Sequence, residues 1–279
     1  MKNEDQLVTV ERRSVRRISS LAELDPSFRA DYSLLKHGDP RATRRLGLRV
    51  GKLYPDAADP VFISSSPQGE VSTAARNLLL HTELKFPLIH LGREGDFDRS
   101  DFGRLSADER TAAMRTRKIK VSDEVQGRLS GSTLLVIDDL RASGSHERAI
   151  IEYFRSLEVP QRLIFLYVVE FDGALSASPE AEEELNHFEV SSINDLRVLE
   201  REAGGLLINS RVVKMLLAAG ANQEGRVQLL EFLREASAAT LATIRDAALS
   251  ADGYASVPTY AEGFRLLISP PTAIRLLEL

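Results

Sequence analysis

The sequence predicts an α/β fold in which a parallel sheet forms the core and helical segments are attached at both ends of the chain. Within residues 60–172, short β-rich runs alternate with longer helical patterns, which is typical of βα units around a parallel sheet. Residues 133–137 (TLLVI) form a continuous apolar run, as expected of a strand buried on both faces. Beyond about Gly204 the apolar periodicity is helical, and no credible strand follows.

The core elements follow one another in an order that fits this fold. An apolar run at 61–64 predicts the first strand, and a polar loop then leads into a helical pattern at 71–81. A second strand, PLIHL at 87–91, ends at Gly92. After the central strand we expect, in chain order, a helix at 146–156, a strand at 163–170, a helix at 179–187, a short strand at 188–191 and a helix from about Ile193.

The two ends of the chain are predicted to be attachments to this core. The first fifty or so residues are arginine-rich with a helix-like pattern, and helical patterns recur after the core at 212–218, 227–236 and 241–249. We therefore divide the chain into an N-terminal attachment at 1–55, which is a candidate hood over the site, a core at 56–204, and a helical C-terminal attachment at 205–279.

Composition narrows the classes of function. The chain of 279 residues has no cysteine, which excludes a thiolate nucleophile and sulfur-ligated zinc or iron–sulfur sites. No stretch approaches the roughly 18 consecutive apolar residues of a membrane span, and the N-terminus lacks a secretory signal. The net charge of −5 argues against a protein that mainly coats nucleic acid. We expect a cytoplasmic protein with no membrane partner; a homodimer is open.

The informative string is LLVIDDLRASGSHERAI at residues 134–150. A buried parallel strand delivers Asp138 and Asp139 to its C-terminal end, where ligands bind in open α/β sheets. The loop that follows precedes a helix N-terminus, so its backbone N–H groups can face a phosphate. Its members are Ala142, Ser143, Gly144, Ser145 and His146. Carboxylates beside a phosphate loop fit a sugar phosphate, because the acids accept hydrogen bonds from vicinal ribose hydroxyls. The competing interpretation is an ordinary exposed strand end and Ser-Gly turn.

This string resembles the phosphoribosyl pyrophosphate (PRPP) motif of type I phosphoribosyltransferases, in which four apolar residues and two acids precede a Thr-Gly-Gly-Thr loop. Ser143 keeps the hydroxyl and Gly144 the glycine, whereas Ser145 and His146 depart from the pattern. The surrounding letters look like a subgroup associated with tellurite-resistance and stress gene neighbourhoods. The resemblance covers about 60–202. It implies that Asp138 and Asp139 act on the ribose and help hold Mg²⁺, while the loop binds the 5-phosphate.

The same resemblance implies a pyrophosphate site on an earlier loop. The candidates are Ser65, Ser66, Pro67, Gln68 and Gly69, which follow the first core strand. Members of the family also close a mobile loop over PRPP, and residues 92–121 are too long for an ordinary connection of about two to six residues. We expect a short helix at 106–114 within it. Arg117 is a candidate for pyrophosphate and Lys118 for catalysis, from the basic run RTRKIK.

The end of the next strand is where relatives place contacts to the acceptor. Glu170, Phe171 and Asp172 lie there, and the Phe171 ring could stack on a planar base. A haloacid-dehalogenase phosphatase is disfavoured because Leu140 stands where its second Asp should be. A receiver domain is disfavoured because two strands precede the acid pair.

The predicted reaction is Mg²⁺-dependent transfer of the 5-phosphoribosyl group of PRPP to an unidentified acceptor, a nucleobase-like one among the candidates, with release of pyrophosphate. Two alternatives stay open. One is a non-catalytic regulator that senses PRPP. The other is a phosphoribosyl hydrolase or a different salvage enzyme.

Overall fold

The computed structural model describes residues 8–54, 61–94, 118–157, 161–250 and 253–269. The strands are β1 (Val8–Ile18), β2 (Val61–Ser65), β3 (Gly92–Glu94), β4 (Lys118–Lys120), β5 (Thr133–Arg141) and β6 (Gln161–Phe171). The helices are α1 (Pro26–Lys36), α2 (Pro40–Gly51), α3 (Ala74–Leu79), α4 (Asp123–Leu129), α5 (Ser145–Ser156), α6 (Pro179–Asn186), α7 (Ile193–Ala203), α8 (Ser210–Ala219), α9 (Gln223–Glu235), α10 (Ala238–Ala248) and α11 (Ala261–Ile268).

The main sheet is parallel, and its strand order is β1-β6-β5-β2. The predicted strand at 87–91 is not one of the sheet's strands, but it lies beside β2 through a bridge between Leu88 and Ile63 and packs Ile89 and Leu91 into the core of the sheet. The α/β fold class with a parallel-sheet core is therefore confirmed. Residues 133–137 are all buried, as their apolar run predicts for a central strand.

The N-terminal segment differs from the prediction. Residues 8–18 were expected to be part of a helix-like attachment, but they form β1, which pairs with β6 over its whole length at the edge of the sheet. Helices α1 and α2 follow it, so the helical prediction is wrong for residues 8–18 and holds for the residues after them. Because β1 is an edge strand, it carries many charged side chains instead of the apolar run of a central strand.

Two compact units are distinguished. The first contains Met1–Phe28, Arg44–Gln68 and Ala75–Leu185, and the second contains Arg29–Thr43, Gly69–Ala74 and Asn186–Leu279. The chain passes into each unit more than once, so the predicted boundaries after residues 55 and 204 stay a prediction. In the first unit, apolar side chains of the sheet pack with α5, among them Phe62, Leu134, Val136, Phe154 and Phe165.

The second unit has its own apolar core, formed by α7 to α11. Its fully buried members include Leu196, Leu216, Leu229, Phe232 and Ile244. Side-chain caps define where several of these helices begin, and the capping residues are Ser192, Asn209, Asn222 and Ser237. The helical character of the C-terminal region is confirmed. The short strand predicted at 188–191 is wrong, because those residues form a bend and irregular backbone between α6 and α7.

No helix in the described ranges is long and apolar enough to cross a membrane.

Helices α8 and α11 approach each other closely through glycine. A Cβ atom added to Gly263 would overlap the carbonyl oxygen of Leu217. Gly263→Ala is therefore expected to lower the free energy of unfolding by about 1–3 kcal/mol, the usual cost of overpacking. This cost should outweigh the roughly 1 kcal/mol that alanine gains over glycine inside a helix.

The matched control is Gly127→Ala in α4, because a Cβ there meets no atom within 4 Å. That variant should be as stable as the wild type or up to about 1 kcal/mol more stable. Thermal and urea denaturation measure both. A Gly263→Ala protein that is as stable as Gly127→Ala would contradict the close approach.

Candidate functional site

Two predicted parts of the site meet at the C-terminal edge of the sheet. β2 and β5 are parallel, and Ser65 pairs with Ile137, so the next residues on each strand are neighbours. The Ser66 backbone N–H donates to the Ile137 carbonyl at 2.9 Å, and its hydroxyl donates to Oδ1 of Asp138 at 3.2 Å. Two segments far apart in sequence are thus joined directly at the acid pair.

Asp138 is a buried carboxylate with ordered neighbours. Its Oδ1 also accepts the backbone N–H of Asp139 at 2.9 Å, and Nδ1 of His146 lies 3.7 Å from its Oδ2. Burial raises the pKa of Asp138, the contact with His146 opposes this rise, and the charge of Asp139 adds to it. His146 stands where the family motif has a hydroxyl, and this position now adjusts the electrostatics of an acid.

The predicted phosphate loop opens α5, a helix of 12 residues. Gly144 is its N-cap and has a left-handed backbone (φ 71°, ψ 16°), which a residue without Cβ adopts readily. The hydroxyls of Ser143 and Ser145 are 2.7 Å apart. Arg148 donates to the Ser143 carbonyl at 2.8 Å and to the Ser145 hydroxyl at 3.3 Å, which braces the loop. Ala142, the first residue of this loop after β5, is half-buried.

Residues 65–68 of the predicted pyrophosphate loop are buried, and several of their donors bond within the protein. The Ser65 hydroxyl donates to the Ser66 carbonyl at 3.2 Å, and the Gln68 N–H donates to the Leu91 carbonyl at 3.2 Å. Pro67 has no N–H to offer. The pyrophosphate role of residues 65–69 stays a prediction. Gly69 falls in the second unit.

The predicted acceptor residues do not form an exposed surface. Glu170 is buried, and its carboxylate accepts Nη1 of Arg141 at 3.3 Å and the Ser14 hydroxyl at 3.4 Å. Phe171 is 1% exposed, so its ring offers no face for a base to stack on. Asp172 is exposed and forms an ion pair with Arg17 at 3.0 Å.

The long segment predicted to close over the ligand lies mostly outside the described residues, as do Arg117 and the helix expected at 106–114. Its two ends are described. β3 and β4 pair antiparallel, with Gly92 opposite Lys120. The backbone of Lys118 belongs to β4, and the role proposed for its side chain stays a prediction.

A buried carboxylate lies in the first turn after the phosphate loop and was not predicted from the sequence. Glu147 in the first turn of α5 accepts Nε of Arg12 at 2.8 and 2.9 Å, Nε of Arg141 at 3.0 Å and the Tyr167 hydroxyl at 3.0 Å. Burial raises its pKa, but the hydrogen bond from Arg12 and the charges of both arginines outweigh burial, so the pKa is lowered overall. Arg12 lies 135 residues away in sequence, and no local pattern marks the pair.

The donors at this edge suit a hard cation only in part. Among the described residues, no group of three or more His, Asp or Glu side chains could hold a metal ion. Asp138 and Asp139 supply carboxylate oxygens, the ligand type that Mg²⁺ prefers, and Mg²⁺ commonly keeps several waters and binds through substrate phosphates. The residues therefore fit an ion that arrives with a phosphorylated ligand better than a permanently bound one.

A parallel sheet that presents two acids and then a Ser-Gly loop at a helix N-terminus defines a protein of the phosphoribosyltransferase fold class. A profile of PRTase ComF-like proteins matches residues 11–267, which is nearly the whole chain. The chain belongs to this PRTase ComF-like family.

Solved structures that resemble the chain include a hypoxanthine phosphoribosyltransferase from Staphylococcus aureus in two crystal forms. The tetragonal form is 12% identical with a TM-score of 0.30, and the match covers 51% of this chain and 64% of that one. The orthorhombic form is 9% identical with a TM-score of 0.30, covering 54% and 81%. No curated protein matches the chain.

Replacing Asp138 should show how much its burial lowers the stability of the folded protein. A raised carboxyl pKa means that its contribution to stability is fully present in acid and is lost as pH rises through the folded-state pKa. Asp138→Asn keeps an oxygen for its donors without the charge. It should therefore raise the melting temperature at pH 8 by roughly 2–4 °C, which corresponds to about 1 kcal/mol in a protein of this size. The difference from wild type should shrink toward pH 4.

Asp172→Asn is the matched control at the end of the neighbouring strand. The hydrogen bond from Gly173 and the ion pair with Arg17 lower the pKa of Asp172, so its contribution is present at neutral pH and is lost in acid. This variant should be equal to or less stable than wild type at pH 8. An Asp138→Asn protein less stable than wild type at pH 8 would show that burial is not the dominant effect.

Proposed function

We propose that the chain binds PRPP and transfers its 5-phosphoribosyl group to an acceptor with release of pyrophosphate. One observation carries the proposal: buried strand β5 carries Asp138 and Asp139 near its C-terminal end, and the left-handed Gly144 then opens α5, in a chain of the PRTase ComF-like family. The acids accept hydrogen bonds from the ribose hydroxyls. The loop 142–146 binds the 5-phosphate through backbone N–H groups and the positive end of the helix.

In the proposed reaction, the bond between C1 of the ribose and a pyrophosphate oxygen breaks as the acceptor nucleophile bonds to C1. The bonding electrons leave with pyrophosphate, and positive charge develops on the ribose ring. In this proposal Asp138 and Asp139 stabilise that ring through their negative charge, so their contribution is positioning and electrostatic. Mg²⁺, when bound with PRPP, would neutralise charge on the departing pyrophosphate.

A second candidate is a protein that binds PRPP without turnover. It is favoured by the internal hydrogen bonds of Ser65, Ser66 and Gln68, which occupy donors that a pyrophosphate would need. The resemblance to the tellurite-associated subgroup, a homodimer and a cytoplasmic location remain predictions, and the acceptor is undetermined.

PRPP with Mg²⁺ is expected to raise the melting temperature of the wild type, because a ligand bound only by the folded state stabilises it by about 2.7 kcal/mol at one hundred times its Kd. Asp138→Asn/Asp139→Asn should fold but bind PRPP at least about tenfold more weakly, since charge-assisted hydrogen bonds of about 1.5–3 kcal/mol are lost. Asp172→Asn is the control and should bind as the wild type does. Calorimetry measures all three, and no binding by the wild type at millimolar PRPP overturns the proposal.

Measuring turnover distinguishes a transferase from a sensor of PRPP. The wild type is incubated with PRPP, Mg²⁺ and a metabolite extract, pyrophosphate is measured, and the product is identified by mass spectrometry. For a transferase we expect extract-dependent pyrophosphate release that the double variant lacks. Release without any extract would indicate a hydrolase, and binding with no release would favour the sensor.

A further inference from the structure

An arginine stands between the acid pair and the phosphate loop. Arg141 is the last residue of β5, and its Nη2 lies 3.1 Å from the point that a Cβ on Gly144 would occupy. Its Cζ and Nε are 3.4 and 3.5 Å from the same point. The guanidinium therefore lies against the glycine that opens α5, in space that any larger residue at 144 would fill.

Two carboxylates hold this guanidinium in place. Nε donates to Glu147 at 3.0 Å and Nη1 donates to Glu170 at 3.3 Å. Nη2 makes no hydrogen bond to the part of the chain that the structure describes. A guanidinium has five N–H donors in a rigid planar fork, so fixing one edge orients the remaining donors. The side chain is 22% exposed, which leaves it within reach of a ligand.

Arginine side chains around the loop offset part of the charge of its neighbouring carboxylates. Arg12 binds both oxygens of Glu147, so Glu147 has a cationic partner besides Arg141. Arg148, on α5, donates to the carbonyl of Ser143 and the hydroxyl of Ser145, which are uncharged groups of the loop. Arg12 and Arg141 thus bind Glu147 and Glu170, while Arg148 binds the loop itself, beside the acid pair and next to a helix N-terminus that favours anions.

We propose that Arg141 is a specificity-determining residue of the phosphate loop: its Nη2 binds the phosphate of the ligand together with the loop amides, and Glu147 and Glu170 position it. This inference rests on the proposed function and deepens it. The site would then select sugars that carry a phosphate dianion over sugars that do not. Part of the phosphate binding comes from a side chain, whereas a loop without this arginine would bind phosphate only through backbone and hydroxyl donors.

The test compares two anions on the same protein sample. The affinities for ribose 5-phosphate and for inorganic pyrophosphate with Mg²⁺ are measured by calorimetry, and their ratio does not depend on the folded fraction. For Arg141→Met we expect ribose 5-phosphate affinity to fall at least about tenfold, the loss of a charge-assisted hydrogen bond. Pyrophosphate affinity should stay within about twofold of wild type, and the salt dependence of ribose 5-phosphate binding should become weaker.

Arg162→Met is the matched control. It removes one arginine of β6 that pairs with Glu11 near the opposite end of the sheet, and it should leave the affinity ratio unchanged. Arg141→Lys keeps the charge but loses the planar fork, so its ratio should lie between those of wild type and Arg141→Met. It also serves as the test variant if Arg141→Met does not fold.

The outcomes are distinct. If wild type binds PRPP and ribose 5-phosphate but the Arg141 variants keep the wild-type ratio and salt dependence, Arg141 only supports the fold and the inference is overturned, while the proposed function stands. If wild type binds neither phosphorylated sugar, both the proposed function and the inference fall.

Discussion

The unit that carries the site depends on the hydrogen bonds made by the buried carboxylate of Glu147. It joins α5 to three strands, through Arg12 of β1, Arg141 of β5 and Tyr167 of β6. Removing a carboxylate from water costs several kcal/mol unless hydrogen bonds and opposite charge replace the lost hydration, so these elements must keep their relative positions. Burial, and then the charge of Glu147, raise the pKa of Tyr167, which keeps its hydroxyl as a donor. The edge strand β1 is therefore part of the support beneath the phosphate loop.

The parallel pairing of β2 with β5 imposes the second constraint. Because the two strands end together, Ser66 reaches Asp138 without any long side chain, and the carboxylate is held before a ligand arrives. The raised pKa of Asp138 indicates that these contacts do not fully replace the lost hydration. Hydroxyl donors of a bound ribose would add what is missing. Functional sites are often less stable without their ligand, and binding of the ligand then recovers the lost free energy.

The sequence was informative where structure is local and failed where contacts are distant. The apolar run of β5, the helix after Gly144 and the capped C-terminal helices could all be predicted, because periodicity and caps act over a few residues. β1 was not predicted as a strand, because an edge strand carries charged residues and the arginines of β1 resemble those on the surface of a helix. Placing β1 beside β6 also explains Phe171, which pairs with Ile18 and is buried instead of exposed at a strand end. The partners of Glu147 could be identified only once the fold was known.

The two halves of the proposed PRPP site differ in how ready they are for a ligand. Oδ1 of Asp138 already accepts two hydrogen bonds, whereas the nearest donor shown at Oδ2 is His146 at 3.7 Å, longer than an ordinary hydrogen bond. Since a carboxylate has about four lone-pair sites, a ribose hydroxyl can bind at Oδ2 while Ser66 stays in place. Residues 65–68, by contrast, would have to exchange internal hydrogen bonds for pyrophosphate. In the proposed function, ribose phosphate binding and pyrophosphate release are therefore separable steps, and the choice between sensing and transfer would depend on the hydrogen bonds of residues 65–68.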